Sequence, residues 1–299
     1  MLCSWRAIVA LGLVAGAGTT EAAAQEVLRR VGSVTFRVDT SQAFPGGVVV
    51  VRLASRGRLG SAWALLDGRR AAFYSDRGVP RALVPVAASA EAGPATLGVG
   101  IAARRGEQRV SIPITIAPRE YRPRYVFLPE EQRARLRRPE AAHDGRRLLA
   151  VLRTESPKPA PGLLLPPVGT TGTGFGELRT YTGAADVESR IDALQGERHR
   201  GLDYAVPVGT PVRAPSAGTV LFAGSLALSG ETVVIDHGQG VLSVLQHLSR
   251  VDARVGDLVA AAAIVGLSGD SGLAPEPMLQ WRVYLHAVPV DPTVLGPLL

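Results

Sequence analysis

Few residues in this 299-residue chain could do chemistry, and the densest group is His199-Arg200-Gly201-Leu202-Asp203. A histidine and an aspartate four apart, with a glycine between them, can bring an imidazole and a carboxylate onto one cation, and both groups suit zinc. A surface histidine and aspartate beside a glycine turn is the plainer alternative. His143, next to Asp144, reads as a solvated histidine rather than a ligand. The one cysteine, Cys3, lies near the start of the chain, so beyond it there is neither a disulfide nor a thiolate ligand.

The elements around the His199 segment read as strands. Thr210 to Pro215 and Gly218 to Gly224 look like a paired hairpin. Thr232 to Asp236 runs to a turn at His237-Gly238-Gln239-Gly240, from which Val241 to Leu245 returns. Ile264 to Gly269 and Gln280 to Leu285 complete a sheet. Upstream, Val34–Val38, Gly47–Leu53, Ala62–Leu66, Ala82–Val86, Thr96–Ile101 and Val110–Ile116 alternate with turns. About seven short strands at that spacing fit an immunoglobulin-like β-sandwich, with Pro113 marking an edge strand.

Between these halves, Leu128 to Arg138 starts with acids and ends with bases, the order a helix dipole prefers. Ala141 to Thr154 also reads as helical, and Pro157, Pro159 and Pro161 form a stiff connection. Residues 1–24 carry a basic start at Arg6, a short apolar run and the small-residue site Ala22-Ala23-Ala24, the pattern of a cleaved export signal. The expectation is therefore a mainly β protein. It comprises a leader (1–24), an immunoglobulin-like sandwich (25–117), a helical and Pro-rich linker (118–165) and an antiparallel β domain (166–299), with no transmembrane segment once the leader is removed.

The net charge of +7 could draw the protein to anionic cell-wall polymers, nucleic acid or lipid headgroups, or it could reflect Arg-rich composition alone. No nucleic-acid motif is present.

In order along the chain, His199 to Asp203, Pro207 to Val212, Val233 to Gly240, His247-Leu248-Ser249 and Val255-Gly256-Asp257 resemble the blocks of the lysostaphin or LytM-type zinc metallopeptidases. Phe175-Gly176 and Arg179-x-Tyr181 are similar to that family's lead-in. The resemblance implies a groove across a β sheet and zinc held by His199, Asp203 and a late histidine. It also implies proton handling by His247 and a histidine partner, and peptidoglycan cross-link peptides as substrate. The family's Gly-Pro-His-Leu-His-Phe-Glu-Val, however, aligns with Glu276-Pro277-Met278-Leu279-Gln280-Trp281-Arg282-Val283. Met278 stands at the proton-handling position and Gln280 at the third ligand position, on one face of one strand.

Catalytic zinc keeps three protein ligands and an open site, and a neutral amide is a poor replacement for imidazole. The metal site (His199, Asp203) is thus incomplete and the catalytic residue His247 vestigial, so no cofactor is expected. His286 lies six residues past Gln280, about 20 Å along a strand, and His237 has no metal duty in the family, which leaves Glu276 as the nearest substitute. The resemblance points to a non-catalytic, periplasmic or cell-envelope factor that binds peptidoglycan or regulates a cell-wall hydrolase, since family members with broken zinc sites activate cell-wall amidases. The alternative is a zinc endopeptidase with a variant site.

Overall fold

The computed structural model describes residues 26–31, 33–55, 61–76, 78–103, 106–136, 139–157, 164–182 and 198–299. The expected leader, and Pro159 and Pro161 of the expected linker, lie outside them. The first half holds β1 (Glu26–Val31), β2 (Val34–Asp39), β3 (Val48–Ser55), β4 (Ala62–Leu66), β5 (Arg69–Ala72), β6 (Tyr74–Asp76), β7 (Val79–Pro85), β8 (Gly93–Ala103) and β9 (Gly106–Ile116). They form two antiparallel sheets, ordered β1-β2-β3-β7-β6 and β5-β4-β8-β9.

Alternation decides which side faces in. Val34, Phe36 and Val38 of β2 are buried, while Arg37 between them is exposed. The other sheet supplies Leu97, Val99, Ile112 and Ile114 to the same core. Pro113 lies on β9, an edge strand of its sheet, the position to which a residue without an N–H is confined. Strands β1, β5 and β6 were not legible in the sequence, because β1 is mostly exposed and the other two span four and three residues.

The segment expected as a linker contains β10 (Pro123–Phe127), α1 (Glu130–Leu136) and α2 (Glu140–Leu152). β10 pairs in parallel with β11 (Leu178–Thr182), a pairing that spacing alone did not suggest. Leu148, Val151 and Leu152 of α2 pack on Phe222, Leu226 and Tyr284, and Asp144 Oδ2 accepts a hydrogen bond from Ala227 N at 2.8 Å. This segment therefore forms one wall of the second β unit.

That unit consists of β12 (Leu202–Tyr204), β13 (Pro211–Arg213), β14 (Gly218–Leu226), β15 (Gly230–Gly238), β16 (Val241–Val251), β17 (Leu258–Val259), β18 (Ile264–Ser268), β19 (Leu279–Leu285) and β20 (Val288–Val290). The sheet runs β12-β19-β16-β15-β14-β17, with β20 on β19 and β13 on β18. The expected hairpin of Thr210–Pro215 with Gly218–Gly224 does not form. β13 pairs with β18 instead, because Ala214-Pro215-Ser216 leads the chain away before β14 begins.

The two halves share a core in which Val48, Val50 and Leu83 of the sandwich meet Phe175, Leu245 and Val290. Arg119 spans the junction, its Nη2 2.6 Å from Asp291 Oδ2 and its guanidinium over the Phe44 and Tyr121 rings. Among the described residues, no helix is long and apolar enough to cross a membrane.

Candidate functional site

The site sits where β12 lies against β19, with Asp203 directly opposite Gln280. Directly opposed residues in an antiparallel pair carry side chains on the same face, about 5 Å apart at Cβ, so this register alone makes the two meet. Gly201 permits the approach, because a Cβ there would lie 2.5 Å from the Trp281 carbonyl oxygen. The loop before β11 completes the frame. Asp203 bridges to Thr173, and His199 exchanges backbone hydrogen bonds with Gly176 and Glu177.

The His199 ring is buried, and its Nδ1–H donates to the Gly174 carbonyl at 2.9 Å. Burial pushes its pKa below the ordinary histidine value, more strongly than Asp203 pulls it up. The ring is therefore neutral, and Nε2 presents a lone pair. Burial alone would raise the Asp203 carboxyl, but the Arg179 guanidinium and the Gln280 amide donor outweigh it and hold the group well below the usual carboxylate range. Arg179 Nη2 lies 2.6 Å from Asp203 Oδ2 and 3.1 Å from Glu177.

Gln280 closes the arrangement. Its Nε2 donates to His199 Nε2 at 2.7 Å and to Asp203 Oδ1 at 3.0 Å, while its Oε1 accepts from Arg282 Nε at 2.7 Å. The opposite amide orientation would set oxygen against the carboxylate and the ring lone pair, and NH2 against the Arg282 donor. The network therefore permits only one.

His199 Nε2 and Asp203 Oδ1 are 3.2 Å apart, so the three atoms form a triangle with sides of 2.7, 3.0 and 3.2 Å. Ligands around a tetrahedral zinc with bonds of 2.0–2.1 Å stand roughly 3.3 Å from one another. The triangle is nearly the size of a zinc site, but at one corner an N–H donor with no available lone pair stands where a ligand would. Two arginines add positive charge around it. These residues do not fit a zinc ion, and among the described residues no group of three His, Cys, Asp or Glu side chains could hold a metal.

The expected proton-handling position is equally altered. His247 is buried and donates Nδ1–H to the Ser271 carbonyl at 2.8 Å, and burial pushes its pKa down to about 4. It lines a cavity of 540 Å³ together with Met278, Gln280 and Arg282, with Leu148 and Leu152 of α2 on the far wall. Met278 supplies a thioether there and no proton. The other histidines stand apart from the centre. His237 bonds the Ala217 carbonyl and Ser243 Oγ, His286 bonds Glu155 at 2.7 Å, and His143 is exposed. Glu276 lines an adjoining cavity of 240 Å³ beside Asp203 and Arg179, with its side chain exposed.

Three participants escaped the sequence reading. Arg282 was legible as a reversal of the glutamate in the aligned motif, and Arg179 as part of the lead-in, but neither role was. Gln246, opposite Gln280 on β16, is fully buried with neither amide atom hydrogen-bonded among the described residues.

Comparison with known proteins agrees with this frame. The model of peptidase family M23 matches residues 197–292. This segment is an M23 peptidase domain. It is 36% identical over 94 residues to the DD-carboxypeptidase/endopeptidase Mpg of Neisseria meningitidis, a match covering 31% of this chain and 22% of that protein. Against the peptidoglycan DD-endopeptidase ShyA of Vibrio cholerae the identity is 33% over 93 residues, covering 31% and 22%. The chain thus spans less than a quarter of either relative. A crystal structure of a Pseudomonas aeruginosa protein assigned to peptidase M23 superposes at a TM-score of 0.61 and 28% identity, covering 85% of this chain and 95% of that one. The likeness in fold therefore extends well beyond the M23 domain.

Proposed function

We propose that this protein is a non-cleaving, peptidoglycan-associated factor of the cell envelope that binds cell wall or regulates a cell-wall hydrolase. One observation carries the reading: the third corner of the metal triangle is the donor nitrogen of Gln280. Zinc-assisted hydrolysis needs a held ion to acidify its water, and removing a general acid or base costs a further two to four decades of rate, by order of magnitude. Here His247 is a neutral ring tied to Ser271 and its partner position is Met278. The curated relatives named for peptidoglycan or DD-peptide cleavage support peptidoglycan as the surface recognised.

We assign that recognition to the cavity lined by His247, Met278, Gln280 and Arg282, and an amidase is the regulated enzyme we propose. Residues 1–24 act as the export leader. We read the sheets β1-β2-β3-β7-β6 and β5-β4-β8-β9 as an immunoglobulin-like module and assign to it the positioning of the M23 domain.

The test is co-sedimentation with purified peptidoglycan in zinc-supplemented buffer, followed by chromatography of the soluble fraction, with and without a purified amidase. The protein should pellet with the wall, release no cross-link fragments alone, and raise amidase product. Chelator-sensitive release of fragments by the protein alone would establish the variant-site endopeptidase instead.

A further inference from the structure

We propose that Arg282, in addition to the missing histidine, bars metal from this domain by deciding which end of the Gln280 amide faces His199 and Asp203. This deepens the non-cleaving reading and rests on it. A carboxamide has two unlike ends. Its oxygen can coordinate a divalent ion, whereas its nitrogen, with its lone pair delocalised, cannot. The atoms at the three corners keep nearly the spacing of zinc ligands, with sides of 2.7, 3.0 and 3.2 Å. Distance therefore does not exclude an ion here. Orientation does.

Arg282 sets that orientation. Positions 280 and 282 lie two apart on β19, so their side chains share a face. Arg282 Nε reaches Gln280 Oε1 at 2.7 Å. A guanidinium stays protonated and offers donors only, so it draws the amide oxygen to itself and leaves the NH2 end for His199 and Asp203. Its charge also opposes the arrival of a cation beside His199 and Asp203. The motif that this segment resembles carries glutamate at this position, where this chain has Arg282. Restoring a histidine at 280, even with a second at 278, would leave an arginine without its acceptor beside the ion.

The experiment compares the full chain as wild type, Gln280→His, Arg282→Glu and Gln280→His/Arg282→Glu. Each is titrated with zinc against a chromogenic chelator, metal content is measured after dialysis, and circular dichroism melts verify folding. The double variant should retain one zinc per chain and bind it at least about tenfold more tightly than Gln280→His alone, since groups supporting a metal site are worth about 10–100-fold in affinity. Arg282→Glu alone, with its amide free to turn, should bind zinc more tightly than wild type. Should Arg282→Glu fail to fold, Arg282→Gln replaces it in both backgrounds with the same expected order. Gln280→His binding as tightly as the double variant would overturn the role of Arg282, as would a folded double variant that binds no better. Stoichiometric zinc in dialysed wild type would instead overturn the non-cleaving reading, so the two failures are separate results.

Discussion

If His199, Asp203 and Gln280 form a structural polar core, removing its carboxylate should destabilise the domain rather than merely loosen an ion. Asp203→Asn keeps the shape and deletes the charge. Arg179, 5% exposed, then loses its charged partner at 2.6 Å and, among the described residues, keeps the Glu177 carboxylate at 3.1 Å. The new amide also presents NH2 either to Arg179 or to the Gln280 donor, so one donor meets another. Breaking a buried pair by removing one partner costs about 3–5 kcal/mol, and the surviving Glu177 contact places this case near the lower end, about 3 kcal/mol. In calorimetry that corresponds to a melting temperature lowered by roughly 6–12 °C. A double variant, Arg179→Met/Asp203→Leu, removes both charges and should recover most of the loss, because the penalty is chiefly that of an unpaired buried cation. EDTA should leave the wild-type transition in place. An Asp203→Asn protein melting within about 2 °C of wild type, or a wild type destabilised by EDTA, would refute the reasoning.

Gln246→Met removes a buried amide that has no partner among the described residues and should stabilise by about 1 kcal/mol, read from the urea midpoint; a loss of that size would reveal a working polar contact. Gly201→Ala puts a methyl 2.5 Å from the Trp281 carbonyl oxygen and should cost about 1–3 kcal/mol, with faster amide exchange along β12 and β19; unchanged exchange would show that the strands accommodate it. Acid should destabilise the fold before carboxylates titrate. Burial pushes His237 and His247 down to about 4, from 6.5, and lowers His199, so between those values the unfolded chain binds more protons than the folded one. That stability is fully present above pH 6.5 and is lost as pH falls toward 4, on the order of 3 kcal/mol for each of the two lowest groups. A urea midpoint that stays flat across this window would contradict burial of neutral imidazoles.

Residue letters sufficed for much of this protein. Alternation in Val34–Val38 and Val110–Ile116 announced strands with one buried face, since that period is two in any sheet. The ordered motifs from His199 to Val283 placed Met278 and Gln280 where two histidines were expected, and the structure brings Gln280 to His199 and Asp203. What the letters could not carry was direction. A glutamine reads the same whichever end of its amide faces the centre, and only the Arg282 donor on one side and the His199 and Asp203 acceptors on the other decide it. The parallel pairing of β10 with β11 and the Arg119–Asp291 contact, 172 residues apart in sequence, likewise depend on long-range packing that no local pattern encodes. Composition and spacing specify which groups can meet; tertiary structure alone specifies the polarity with which they do.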